Sequence, residues 1–121
     1  MEVFYEFLHA FARRDVKAAL ELVGENYHTL ENDVEVSRRD LANRLESLLA
    51  SFSGWDLSVG LSMVPEPVKH PYGIIIYAEI QIDATETGTG KKRNLVDRRL
   101  VLLERQSADN WKIVALSKAR L

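Results

Sequence analysis

The chain has 121 residues, 46% of them hydrophobic and 28% charged, with a net charge of −2 and no cysteine. That length fits one domain, residues 1–121, large enough to bury a core without covalent staples. The missing cysteines exclude disulfides, thiolate metal sites and a cysteine nucleophile.

Residues 2–13 predict a helix, because Phe4, Phe7, Leu8, Phe11 and Ala12 fall on one stripe of a 3.6-residue repeat. Glu2 and Glu6 stand where a secretory leader would need a basic start and an unbroken apolar run. No apolar run approaches the length of a membrane span, and the expected cytoplasmic location is compatible with the missing cysteines. Asp15 is placed to cap a second, shorter helix with Val16, Ala19, Leu20 and Val23 on its apolar face. Gly24 is expected to end that helix in the left-handed conformation.

"ENYHTL" then reads as extended, "END" as a turn, and "VEV" as the return to Ser37. Ser37 followed by Asp40 is a capping-box variant that opens a third helix. Its stripe is Leu41, Leu45, Leu48, Leu49 and Phe52, and Ser53–Gly54 stop it. From Trp55 the period becomes two, with Trp55, Leu57, Val59, Leu61 and Met63 alternating against Asp56, Ser58, Gly60 and Ser62. Pro65, Pro67 and Pro71 predict a loop. Gly73 to Thr85 is a long strand, "ETGTGKK" a glycine-rich turn, Arg93 to Arg105 the next strand, "SADN" a turn, and Trp111 to Lys118 the last strand.

Helices first and strands later predict an α+β domain. Short connections predict an antiparallel meander. In "GIIIYAEIQIDAT" the face Ile74, Ile76, Ala78, Ile80 and Ile82 should lie on the helices. The last two strands are apolar on both sides: Val96, Leu100 and Leu102 oppose Leu95, Val101 and Leu103, and Trp111, Ile113 and Ala115 oppose Val114 and Leu116. Two apolar faces need two covers. The helices supply one, and a second copy in a twofold homodimer through the outer sheet face supplies the other.

The stretch "FLHAFARRDVKAALELVGENY" resembles the opening of the nuclear transport factor 2-like superfamily, which includes SnoaL-like and ketosteroid isomerase-like proteins. It shares a first helix ending in a basic-Asp step, Arg13-Arg14-Asp15, then a short helix and an extended segment. "VSRRDLANRLESLL" resembles the family's third helix, with Ser37 where Gly is usual, and "RRLVLLERQSADNWKIVALSKARL" its closing hairpin. The resemblance implies three N-terminal helices on a strongly curved, mainly antiparallel sheet, a cone-shaped, cystatin-like fold with an apolar pocket between the layers. Dimers through the outer sheet face are common in such a family. Members range from isomerases and dehydratases to ligand binders and interaction domains, so fold does not select an activity.

Isomerase-type members combine a carboxylate base with an oxyanion hole built from Tyr and a protonated acid. Asp97, in mid-strand within "LVDRRL", is the candidate base, unless an ion pair with Arg98 or Arg99 accounts for it. Tyr5 stands at the edge of the first helix's stripe, as a pocket hydroxyl or a packing boundary. His9 lies on that helix's polar face and reads as solvated. Tyr27 and His28 are neighbours on an extended segment, so only one of them faces the interior. Glu31, Asn32 and Asp33 read as turn residues, and Glu35 as outward. Trp55 and Arg99 complete the candidate ligand-binding set of Tyr5, Tyr27, His28, Trp55 and Arg99.

His28 and His70 share no metal-ligand spacing with each other or with an acid, so no metal is expected. Neither G-x-S-x-G, a P-loop nor G-x-G-x-x-G occurs, so no cofactor is expected. "TGTGKKR" lies on a hairpin, where no helix N-terminus is available for an anion. Residues 1–66 carry a net −6 and residues 67–121 a net +4, an asymmetry too weak to indicate nucleic acid. Two functions remain. One is a non-catalytic domain binding a small hydrophobic ligand or a protein partner. The other is a small isomerase- or dehydratase-type enzyme using Asp97 with help from Tyr27, His28 or Tyr5.

Overall fold

The computed structural model describes residues 2–63, 73–107 and 110–118, without the side chains of Leu57, Val59, Leu61, Ser62 and Met63. The Pro65–Pro71 loop and His70 lie outside the described residues, as do Ala108 and Asp109 of the expected "SADN" turn. Helix α1 spans Glu2–Ala12 and buries Phe4, Phe7, Leu8 and Phe11 of the predicted stripe, while Ala12 is only half-buried. Helix α2 spans Val16–Glu21, and the Asp15 carboxylate accepts from the Ala18 N–H at 3.0 Å. Hairpin strands β1 (His28–Glu31) and β2 (Val34–Ser37) follow, then α3 (Arg38–Ser51). The capping box at the start of α3 is complete: Ser37 Oγ accepts from the Asp40 N–H, and the Asp40 carboxylate accepts from the Ser37 N–H.

Strands β3 (Phe52–Met63), β4 (Gly73–Glu86), β5 (Lys92–Ser107) and β6 (Asn110–Lys118) form one antiparallel sheet in the order β3-β4-β5-β6. This is the α+β meander that the sequence predicts. Register shifts at Phe52/Gly54, Leu102/Leu103 and Arg105/Ser107 place bulges that bend and twist the sheet. The inner face of β4 follows the alternation, with Ile76, Ala78 and Ile80 buried. Val101 and Leu103 of β5 and Ile113 of β6 join them against α1 and α2. Each of these Ile, Val and Leu side chains contributes about 1.5–3 kcal/mol by burial. No helix of the described residues is long and apolar enough to cross a membrane.

Three local expectations change. Gly24 is not a left-handed helix cap, because α2 ends on Leu22 with φ −90° and ψ −3°. Its role is a close approach instead. The Gly24 N–H donates to the Ile113 carbonyl at 2.9 Å, and an added Cβ would lie 3.2 Å from Val114 Cγ1. Phe52 does not extend the stripe of α3, since φ −130° and ψ 130° already make it the first residue of β3. Leu48, assigned to the same stripe, is 41% exposed.

Candidate functional site

Alternation along β1 decides which side chains of the opening cluster face inward. Tyr27 and Thr29 are buried at 4% exposure each, whereas His28 points out and pairs with Glu35 at 3.2 Å. The same alternation carries Glu31 inward. It ends β1 rather than joining the turn, which is only Asn32–Asp33. Both turn residues have positive φ, 52° and 64°, the geometry of a two-residue hairpin whose twist matches its strands. Thr29 and Ser117 share a 3.0 Å hydroxyl hydrogen bond that pins the hairpin to β6.

Between α1, α3, β1 and the sheet lies a cavity of about 160 Å3. Phe4, Phe7 and Phe11 of α1, Leu41 and Leu45 of α3, and Ile80 and Ile82 of β4 form apolar walls. Tyr27, Glu31, Arg44, Asp97 and Arg99 supply the polar groups. Four of these form one chain of ion pairs. Arg99 donates from Nε to Asp97 Oδ2 at 3.0 Å and from Nη1 to Glu31 Oε1 at 2.6 Å. Arg44 donates from Nη1 to the other Glu31 oxygen at 2.5 Å. Arg99 Nη1 also donates to the Leu116 carbonyl at 3.1 Å. The side chains of Glu31 and Arg99 are 15% and 19% exposed, those of Asp97 and Arg44 36% and 49%. The buried middle of the chain is therefore tightly paired, and its two ends reach solvent.

Burial fixes the protonation of the phenol. It pushes the Tyr27 hydroxyl up to about 12, against the opposing pull of the Arg99 guanidinium. Tyr27 is thus a neutral hydroxyl that can donate or accept. Burial also works to raise the Glu31 carboxyl, but hydrogen bonds from Arg99 and Arg44 outweigh it and hold the group below its ordinary value. Burial works to lower Arg99, and its bonds to Glu31 and Asp97 hold it above its ordinary value. Glu31 and Arg99 therefore stay charged across the physiological range.

Of the candidate residues read from the sequence, Asp97, Tyr27 and Arg99 line this cavity. The other three lie elsewhere. Tyr5 is 40% exposed on the outer side of α1, and His28 faces solvent. Trp55 stacks on Phe11 at 4.4 Å between ring centroids and backs the cavity wall from one layer out. Its indole Nε1 is buried without a hydrogen-bond partner among the described residues. Two lining residues escaped the sequence reading. Glu31 reads as a turn residue in the sequence, although it shares the parity of Tyr27 and Thr29. Arg44 is not among the residues the sequence singles out, although it sits three residues after Leu41 and four before Leu48, on the stripe's own face. Among the described residues no three His, Asp or Glu side chains converge as a metal site would require.

Solved structures share this architecture across nearly the whole chain. A conserved protein from Planctomyces limnophilus superposes with a TM-score of 0.80 at 15% identity, over 97% of this chain and 89% of its own. A ketosteroid isomerase-like protein from Erwinia carotovora atroseptica gives 0.77 at 17% identity, over 99% and 93%. A nuclear transport factor 2-like superfamily protein from Salmonella enterica serovar Typhimurium gives 0.77 at 14%, over 98% and 85%. The fold is therefore the nuclear transport factor 2-like cone. No protein-family model matches the chain, and no curated protein matches it. Identities this low speak to fold and leave activity to the site itself.

Proposed function

We propose that this nuclear transport factor 2-like domain binds a small, largely apolar molecule in the cavity, as a twofold dimer and without catalysis. The observation that carries the reading is the cavity's size and lining. Its volume, about 160 Å3, is close to the ~150 Å3 of an apolar protein cavity that takes up benzene. It is well below the ~300 Å3 at which pockets for drug-sized ligands begin. A benzene-sized ring fits between its apolar walls. Aromatic and aliphatic walls supply burial, while Tyr27 and the ion-paired rim supply the few polar groups that orient a ligand. Melting of the protein with and without saturating toluene tests this, since a ligand of the folded state raises the melting temperature. No rise at any accessible concentration would remove the reading.

The outer sheet face supports the dimer. Across β4 and β5, Ile75 stands beside Leu102 and Tyr77 beside Leu100, and Ala115 of β6 continues the row. Val96 and Leu100 are 47% and 37% exposed. The same patch on two copies gives a self-complementary interface.

A second reading, an isomerase- or dehydratase-type enzyme with Asp97 as base, has one observation in its favour: Asp97 lines the cavity. A base of that type needs an apolar surround. Asp97 instead has the Arg99 guanidinium at 3.0 Å. An Asp97→Asn protein that still binds its ligand but loses turnover of a ketone or hydroxy acid would reverse the preference.

A further inference from the structure

We propose that the ligand carries a carboxylate and that Arg44 selects it, an inference that rests on the cavity being a binding site. The hydrogen-bonding capacity of the rim is unevenly spent. Arg99 gives its Nε to Asp97 and its Nη1 to Glu31 and the Leu116 carbonyl. Both Glu31 oxygens already accept a guanidinium. Arg44 donates from Nη1 alone among the described contacts, and its side chain is 49% exposed. A guanidinium is a planar fork of donors matched to a carboxylate, so most of the Arg44 fork is open to a ligand.

Position and charge agree with this. Arg44 lines the cavity from α3 between Leu41 and Leu48, beside apolar walls. A molecule with its ring against those walls brings a polar end to the solvent-facing rim. The rim holds two carboxylates and two guanidiniums, alternating as Asp97, Arg99, Glu31 and Arg44. Its charges cancel, so a monoanion meets no net repulsion. Placed at Arg44, the carboxylate extends the alternation by one more opposite charge. A cationic head would find Glu31 already shared between two guanidiniums and Asp97 engaged by Arg99. A neutral head would draw nothing from Arg44 beyond what water supplies. The ligand class is therefore a carboxylic acid with a benzene-sized apolar body.

Calorimetric titration of the full chain with benzoate, benzamide, toluene and benzylamine at low salt tests the inference. Benzoate is expected to bind about tenfold more tightly than benzamide, the margin of a charge-assisted pair, and to lose that margin as salt is added. Arg44→Gln is expected to abolish the margin and Arg44→Lys to keep part of it. The toluene comparison separates a lost contact from a damaged cavity. Toluene binding with benzoate no tighter than benzamide, or benzylamine binding best, overturns the carboxylate inference and leaves the cavity reading standing. An Arg44→Gln protein that retains the full benzoate margin overturns the role of Arg44. No binding by any of the four probes overturns the cavity reading and the inference with it.

Discussion

Glu31, the last residue of β1, and Arg99, in the middle of β5, meet at 2.6 Å although 68 residues separate them in the chain. This contact ties the hairpin to the sheet, and the second Glu31 oxygen ties it to α3 through Arg44. Removing the charge while keeping the shape, by Glu31→Gln, leaves Arg99 largely buried with one carboxylate instead of two. The expected cost is about 2 kcal/mol, nearly all from the Arg99 side, because the half-exposed Arg44 pair contributes little. The folded Glu31 carboxyl lies below its ordinary value of 4.5. Its contribution is therefore present above that value and lost as pH falls through the folded value. Urea titrations of both proteins across the acid range should show their stabilities converging there. Parallel curves at constant separation would contradict the pairing.

Tyr27 gives the opposite sign at the other end of the scale. Its hydroxyl is raised from 10.0 to about 12 by burial, so the unfolded chain ionises first. Stability from this group is complete below pH 10 and falls as pH rises towards 12, by about 3 kcal/mol across the interval. Lysines also titrate there, so the measurement is the difference between the native protein and Tyr27→Phe. That difference should change with pH only in this window. A Tyr27 phenolate step at its ordinary value of 10.0, read as the absorbance difference between the native protein and Tyr27→Phe, would contradict the burial of Tyr27.

Gly24 is required for contact rather than for conformation. In Gly24→Ala the new methyl group meets Asn26 Oδ1 at 2.6 Å, which can rotate away, and Val114 Cγ1 at 3.2 Å, which must yield by a few tenths of an ångström. A loss of about 1 kcal/mol is expected in thermal or denaturant unfolding. A stabilised variant would mean that the junction of α2 with β6 is looser than the Gly24–Ile113 hydrogen bond indicates.

The outer sheet face makes a prediction about assembly. Sedimentation at micromolar concentration should give a dimer, and Leu100→Arg should give a folded monomer, because a charge replaces an apolar residue at the centre of the row. A native protein that sediments as a monomer contradicts the proposed dimer and leaves the cavity untouched.

The elements of the fold were legible because each local signal agreed with the others. The stripe of α1, the Asp15 cap, the Ser37–Asp40 box and the alternation of β4 all carry their own physical cause. The site was legible only in part. Tyr27 and Arg99 stand out by type and place, and the pairing of Asp97 with Arg99 follows from their two-residue spacing on a strand. Glu31 did not stand out, since a carboxylate beside Asn32–Asp33 reads as turn chemistry until the hairpin register is known. Arg44 did not either, because an arginine on a helix is ordinarily solvated. Its role depends on Glu31 arriving from a different element, and local periodicity does not encode that meeting.

NMR titration with toluene reads out whether the cavity accepts a benzene-sized molecule. Saturable shifts confined to Phe4, Phe7, Leu41, Leu45, Ile80 and their neighbours are expected. Those shifts should vanish in Leu48→Trp, which fills the cavity from its exposed rim. Shifts that never saturate, that fall on the outer sheet face, or that persist unchanged in Leu48→Trp would contradict binding in the cavity.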